Sequence, residues 1–316
     1  MSKKKVSLIV LAILLIVFPF VISSPFVLSL AIQICIFGIY ALSYDLLLGY
    51  TGIVSFGHAL FFGGGAYITA ILMKTYNFPF IVSLIIVLII CLLIGFIMGA
   101  LTIRAKDTYF SMLTMALGQF FFVIVLKASK ITGGDDGFHG VRALVSDKRV
   151  FYYIILVLLV LVYLFAKRLI SSPTGRVLQA IRENEVRAGM IGYNVLNYKL
   201  VVILISGAIA GFAGSLYVVF LGSAYPALIH SDMTMKALFM TVLGGMGTLT
   251  GPIIGSVLVT LAENFLSAVM QRWMLVFGMI YVFIILFFPG GIARIGQSIK
   301  KKRTIVKSTK VNDTKA

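Results

Sequence analysis

The side chains best suited to specific recognition lie in one polar stretch, Ser171 to Gly192, where Arg182, Glu183, Glu185 and Arg187 carry both signs of charge close together. Such a group suits docking onto a complementary surface; it does not resemble bond-making machinery. Two glycine-rich runs offer a second kind of chemistry. Leu48 to His58 holds Gly49, Gly52, Ser55, Gly57 and His58, and Leu243 to Pro252 holds Gly244, Gly245, Gly247, Thr248, Thr250 and Gly251. His58 stands at the expected start of a helix, where freed backbone N–H groups could face a substrate carboxylate. The hydroxyls of Ser55, Thr248 and Thr250 could meet a zwitterion. Each feature also has a plainer use: a hydrogen-bonded structural histidine, hydroxyls that satisfy loose backbone groups, and glycines that let helices pack closely. No Gly-x-x-x-x-Gly-Lys-Ser/Thr phosphate loop and no nucleophile–base set is visible, and His58, His139 and His230 lack metal-ligand spacing. The expectation is a chain that is not an enzyme and holds no metal.

The elements that position these residues follow from composition. With 60% hydrophobic and 12% charged residues and a mean hydropathy of +1.09, the chain has too little polar surface for a water-soluble globule. A bilayer core roughly 30 Å thick needs about 20 apolar residues per helical crossing, and charge-free runs of that size recur along the sequence. Strands are not expected, since a membrane barrel would alternate apolar and polar positions. The net charge of +17 sits in short clusters at the ends of apolar runs, a topology signal and not a nucleic-acid face. Cys35 and Cys91 fall singly inside apolar runs and read as packing residues.

Spans are predicted near 6 to 22, 26 to 48, 57 to 73, 79 to 101, 107 to 126, 150 to 166, 199 to 221 and 271 to 288. The first resembles a signal peptide, but no small-x-small cleavage site comes after it, so an uncleaved helix is expected. With Lys3 to Lys5 cytoplasmic, alternation puts Arg104, Lys106 and the stretch Lys167 to Lys199 inside and returns the tail Lys300 to Arg303 inside, as the positive-inside rule requires. Both termini are then cytoplasmic. The stretch 234 to 269 is left over, and Leu243 to Pro252 would break any helix, so it reads as two half-helices that dip in and return to the outer side. The two glycine runs look like counterparts in two related halves, the usual pointer to a translocation path. The fold expected is an all-α polytopic membrane protein of about eight crossings plus broken or re-entrant helices.

Between Lys167 and Lys199 a short helix is predicted, with Ser172 as its cap, Pro173 in its first turn and Gly192 at its end. Val177, Leu178, Ile181, Ala188 and Ile191 can gather on one face. It could dock onto another subunit or lie on lipid headgroups. Asp45 and Glu263, near membrane-embedded sequence, are candidates for function or for simple interfacial placement. The loop Lys127 to Arg149, with Thr132 to Gly137, is either a shaped receiving surface or an ordinary connection.

Ala180-Ile181-Arg182-Glu183-Asn184-Glu185, with Arg187-Ala188 and Ile191-Gly192 after it, resembles the coupling motif of branched-chain amino acid ABC transporter permeases. Thr51-Gly52 to His58, Gly65-Ala66-Tyr67, Tyr109-Phe110 to Leu117, Thr132 to Gly137, Ser206-Gly207 to Gly214 and Leu243 to Pro252 occur in the order seen in LivM-type members. The resemblance spans roughly residues 27 to 290. Together with the hydropathy and charge pattern outside it, this divides the chain into three expected regions: a first helix and basic N-terminus (1–25), a permease domain (26–290) with its coupling helix at 172–192, and a basic cytoplasmic tail (291–316).

That resemblance further implies a permease subunit of an ATP-binding cassette importer in the cytoplasmic membrane, carrying leucine, isoleucine and valine. Its partners would be a second related permease, two ATPase subunits and an extracytoplasmic solute-binding protein, within membrane lipid. ATP would be used by the partners and no cofactor bound by this chain. Ala180, Arg182, Glu183, Glu185, Arg187 and Gly192 would serve ATPase coupling, and the glycine runs with Ser55, His58 and Thr248 the translocation path. Urea or short-chain amides are alternative solutes. An ion-coupled secondary transporter would share the breaks but usually needs more buried acids or histidines than this sequence offers.

Overall fold

After Ser24 the apolar run becomes α1 (Pro25–Thr51), with Pro25 in the first turn where a missing N–H costs nothing. The structure is a computed structural model, described for residues 24–270 except 106 and 146, with Pro19 and residues 272, 275, 276, 278, 279 and 282. The predicted span 6 to 22, the tail 291 to 316 and most of 271 to 288 lie outside the described residues.

Among the described residues, nine further α-helices lead up to the second glycine run. They are α2 (Ala59–Lys74), α3 (Phe80–Thr102), α4 (Asp107–Lys127), α5 (Ser129–Thr132), α6 (Lys148–Ser171), α7 (Pro173–Glu183), α8 (Glu185–Met190), α9 (Val195–Leu221) and α10 (Ser231–Gly244). Another, α11 (Thr250–Val269), comes after the second glycine run. Among the described residues, six helices are long and apolar enough to cross a membrane: α1, α3, α4, α6, α9 and α11.

Burial sorts these helices. α1 lies at the centre, packed by α6, α9, α10 and α11, and it and α9 are largely enclosed. α3 instead buries a stripe at four-residue spacing, Ser83, Val87, Cys91 and Gly95, and turns Ile81, Ile85, Ile89 and Phe96 outward. Apolar side chains that would be a liability in water are satisfied in a lipid solvent. Cys35 and Cys91 are both buried and free. Gly63 and Gly65 lie inside α2 where backbones touch: a Cβ on Gly65 would stand 2.2 Å from the Gly211 carbonyl oxygen. That is close helix packing, the plainer of the two uses of glycine.

The two ends of the bundle are distinct. At one end Lys74 donates to His139 O at 2.7 Å, and a two-residue ladder pairs β1 (Phe138–His139) antiparallel with β2 (Ser223–Ala224). This small sheet departs from the all-α expectation because Gly140 and Val141 both donate to Gly222 O, tying the loop 127–149 to the end of α9. At the other end lie α7, α8 and both glycine breaks.

The span reading shifts in two places. The stretch 57 to 73 holds only a 16-residue helix, short for a crossing, yet the chain passes from the α7 end to Lys74 because the non-helical residues 52–58 before it supply part of the path. In 234 to 269, α10 ends after 14 residues, while α11 runs 20 and is long enough to cross. The two pack antiparallel, so the pair enters and leaves at the same end, and its turn reaches the level of α7, deeper than a half-way dip. The described residues do not establish eight crossings or two related halves.

Candidate coupling and translocation site

The polar stretch folds as two helices, not the single helix expected. Ser172 Oγ accepts from Gly175 N at 3.3 Å and opens α7. Asn184, extended at φ −162°, then ends α7 and caps α8 by accepting from Arg187 N at 2.9 Å. The break cuts the apolar face short. Val177, Ile181 and Ala188 still cluster against Val195 and Tyr198, but Ile191 is 69% exposed instead of joining that face. Gly192, at φ +95°, takes the left-handed position just past the end of α8.

The charged residues of the stretch divide. Glu183 and Arg187 are exposed, as are Val186 and Met190 beside them, and together they offer a surface. Glu185 pairs with Lys199 at 2.6 Å. Ala180 is half-buried. Arg182 is exposed as well, yet its guanidinium donates to Gly49 O, and its Cγ would be 3.4 Å from a Cβ on Gly52. It therefore touches the permease body while remaining on the exposed surface that the resemblance assigns to coupling.

Arg182 reaches the place where the two glycine runs meet. α1 continues through Gly49 and closes at Gly52, whose φ of +75° lets its N–H return to Leu48 O. The segment beyond is held by side chains of neighbouring helices: Tyr44 donates to Ser55 O, Ser111 to Val54 O at 2.7 Å, and Phe56 N to Thr114 Oγ1 at 3.1 Å. Gly57 sits against α4, where a Cβ would be 2.3 Å from Thr114 O. In the second run Thr248 Oγ1 donates to Gly245 O at 2.7 Å and accepts from Gly251 N at 2.9 Å, closing the turn. Gly244 and Gly251 face each other so closely that a Cβ on Gly244 would be 1.8 Å from Gly251 O.

Asp45 fastens the two runs together. It is fully buried, and its Oδ1 accepts from Gly247 N at 2.8 Å. Gly247, at φ +74°, adopts a conformation that side chains resist, and a Cβ there would also stand 2.8 Å from Gly49 O and 2.9 Å from Arg182 Nη1. A Cβ on Gly49 would meet Asp45 Oδ1 at 1.9 Å and Gly247 N at 2.5 Å. Leu249 next to this turn also has a positive φ of 57°, a costly conformation for a branched residue. Asp45, near the end of α1, is thus enclosed by protein at the α7–α8 end of the bundle. The signal was an acid in an apolar run with a glycine four residues on, which places both on one helix face.

His58 belongs to the packing. Its Nε2 is 2.8 Å from Ser43 Oγ, its ring stacks on Tyr40 with centroids 5.5 Å apart, and Tyr44 and Phe61 meet it edge-on. The next backbone N–H, of Ala59, already donates to Thr234 Oγ1 at 2.8 Å. The enclosed ring fits the structural use better than a solute contact. Glu263 is paired with Lys236, whose ammonium also lies 4.2 Å above the Phe37 ring.

A bundle of apolar helices, two backbone breaks joined inside it, and a polar helix pair that reaches them define a multi-pass membrane permease. The chain belongs to the family described as branched-chain amino acid transport system / permease component, whose model matches residues 26–287. It is 28% identical over 319 residues to the high-affinity branched-chain amino acid transport system permease protein LivM of Salmonella typhimurium, covering 92% of this chain and 75% of that protein. The protein of the same description from Escherichia coli K12 gives the same identity and coverage. A probable branched-chain amino acid transport permease protein LivM of Methanocaldococcus jannaschii is 30% identical over 261 residues, 69% of this chain and 76% of that one. No solved structure matches the chain.

Proposed function

We propose that this chain is one permease subunit of an ATP-driven importer of leucine, isoleucine and valine. Its partners in this reading are a second related permease, two ATPase subunits and an extracytoplasmic solute-binding protein, and both its termini are cytoplasmic. The ATP is bound and hydrolysed by the partners. The observation that carries the reading is the position of Arg182: one residue before the exposed Glu183, it grips Gly49 O where the two backbone breaks meet. A partner that moves α7 and α8 therefore moves the joint between the breaks. Two states of that joint, biased by the partner, are what alternating exposure of a path requires.

The exposed group Glu183, Val186, Arg187 and Met190 is the proposed seat of the ATPase. Its mixture of apolar and charged side chains resembles the anchor-and-rim pattern of protein interfaces. The solute is assigned from the named relatives.

Uptake of labelled leucine and labelled urea, in cells carrying the intact chain or Glu183→Ala with Arg187→Ala, tests the reading when ATP and ion gradients are depleted separately. ATP-dependent leucine uptake, lost in the double variant while the protein stays in the membrane, is expected. Urea uptake in place of leucine would reassign the solute. Uptake that tracks an ion gradient and ignores both substitutions would make the chain a secondary transporter.

A further inference from the structure

Beside this joint a cavity of about 520 Å³ opens between three elements: the first glycine run, the α3–α4 junction and the α7–α8 pair. Its size lies in the range of small-molecule sites, roughly 300–1,000 Å³. Its walls are of two kinds. Among the described residues, Arg182, Lys199, Glu183, Glu185 and Asn184 form its polar wall, with Lys199 paired to Glu185 and Arg182 donating to Gly49 O. Ile53, Phe56, Ile103 and Phe110 line the apolar side.

This lining selects a ligand class. Charges of both signs, held among the described residues as the Lys199–Glu185 pair beside Arg182 and Glu183, suit a molecule that carries one charge of each sign; a phosphate would favour an excess of cations, and a divalent metal a cluster of acids. The apolar side suits an aliphatic group attached to that zwitterion. We infer that the cavity is a binding site for an aliphatic amino acid arriving from the α7–α8 side, and that its occupancy slows the transporter. The inference rests on the importer reading above, in which this side is cytoplasmic and the ligand is the transported solute itself.

The effect on turnover comes from position. A ligand whose carboxylate meets Arg182 or Lys199 and whose side chain lies on Ile53 and Phe110 bridges elements that must move relative to one another. It binds the arrangement in which they are close, and so stabilises that arrangement against the others in proportion to its differential affinity. Accumulated product then restrains further import.

The test uses the complete transporter in vesicles, with the α7–α8 side inward, loaded with increasing unlabelled leucine and supplied outside with solute-binding protein and labelled leucine. Initial ATP-driven uptake should fall about five-fold or more at saturating internal leucine, the low end of usual coupling between sites, while internal lysine or glutamate should act much less. Thr108→Trp and Ala105→Phe place bulk in the cavity while leaving the charged coupling residues themselves unaltered. Either should keep uptake in leucine-free vesicles and lose the suppression. Wild-type uptake indifferent to internal leucine, or suppression undiminished in both filled variants, overturns the inference alone. Absence of ATP-driven leucine uptake even in leucine-free vesicles overturns the importer reading and the inference with it.

Discussion

The carboxylate of Asp45 in α1 accepts a 2.8 Å hydrogen bond from the backbone N–H of Gly247, 202 residues away, and so holds the two glycine breaks in contact. Between them passes the guanidinium of Arg182, donating to Gly49 O. One acid and one base from distant parts of the chain thus join the interior to the coupling segment.

Asp45→Asn keeps an oxygen for Gly247 N–H, whereas Asp45→Ala leaves that donor buried without its partner. The alanine variant should lose about 1–3 kcal/mol of stability and the asparagine variant less. Thermal unfolding of the purified protein in detergent measures both. Equal stability of wild type and Asp45→Ala would show that the bond holds nothing.

Gly49→Ala would drive a Cβ into Asp45 and the Gly247 backbone, neither of which can yield without opening the joint. Uptake should be lost and the unfolding temperature lowered. Gly64→Ala is the matched control, because a Cβ there meets nothing within 4 Å and the residue lies inside a regular helix. It should be neutral or slightly stabilising, by up to about 1 kcal/mol. If both substitutions behave alike in the uptake and unfolding assays, close approach at Gly49 is not what matters.

The pair Lys236–Glu263 links α10 to α11, with side chains only 14% and 27% exposed. Removing one partner strands a charge in a poorly hydrated place and should cost several kcal/mol, roughly 3–5 for a buried pair and less here because Glu263 keeps some exposure. Replacing both, as Lys236→Met with Glu263→Leu, should restore most of that stability. Unfolding temperatures of the two single variants and the double variant decide the matter; a double variant no better than the singles would contradict it.

Much of this architecture was legible in the sequence because lipid imposes a simple rule. Apolar runs bounded by charge gave α1, α3, α4, α6 and α9 nearly in place, and Ser172, Pro173 and Gly192 marked the limits of the coupling segment. The interior break at Asn184 was missed because Asn before Glu in a charged stretch also reads as ordinary helix surface. Only its extended backbone and the bond from Arg187 N show it as a cap. Similarly, glycine spacing located both breaks, but nothing in either run states that Gly49 and Gly247 touch. That contact depends on helices far apart in sequence, and so do the enclosed setting of His58 and the bond from Arg182 to Gly49 O.

ATP hydrolysis and labelled-leucine uptake, measured together in vesicles holding the complete transporter with wild-type chain or Arg182→Ala, test most directly whether Arg182 connects the coupling segment to the breaks. With Glu183 and Arg187 intact the ATPases should still dock and hydrolyse, while uptake falls about ten-fold or more, the equivalent of losing one charge-assisted hydrogen bond of roughly 1.5–3 kcal/mol. Uptake per ATP unchanged from wild type would contradict the account.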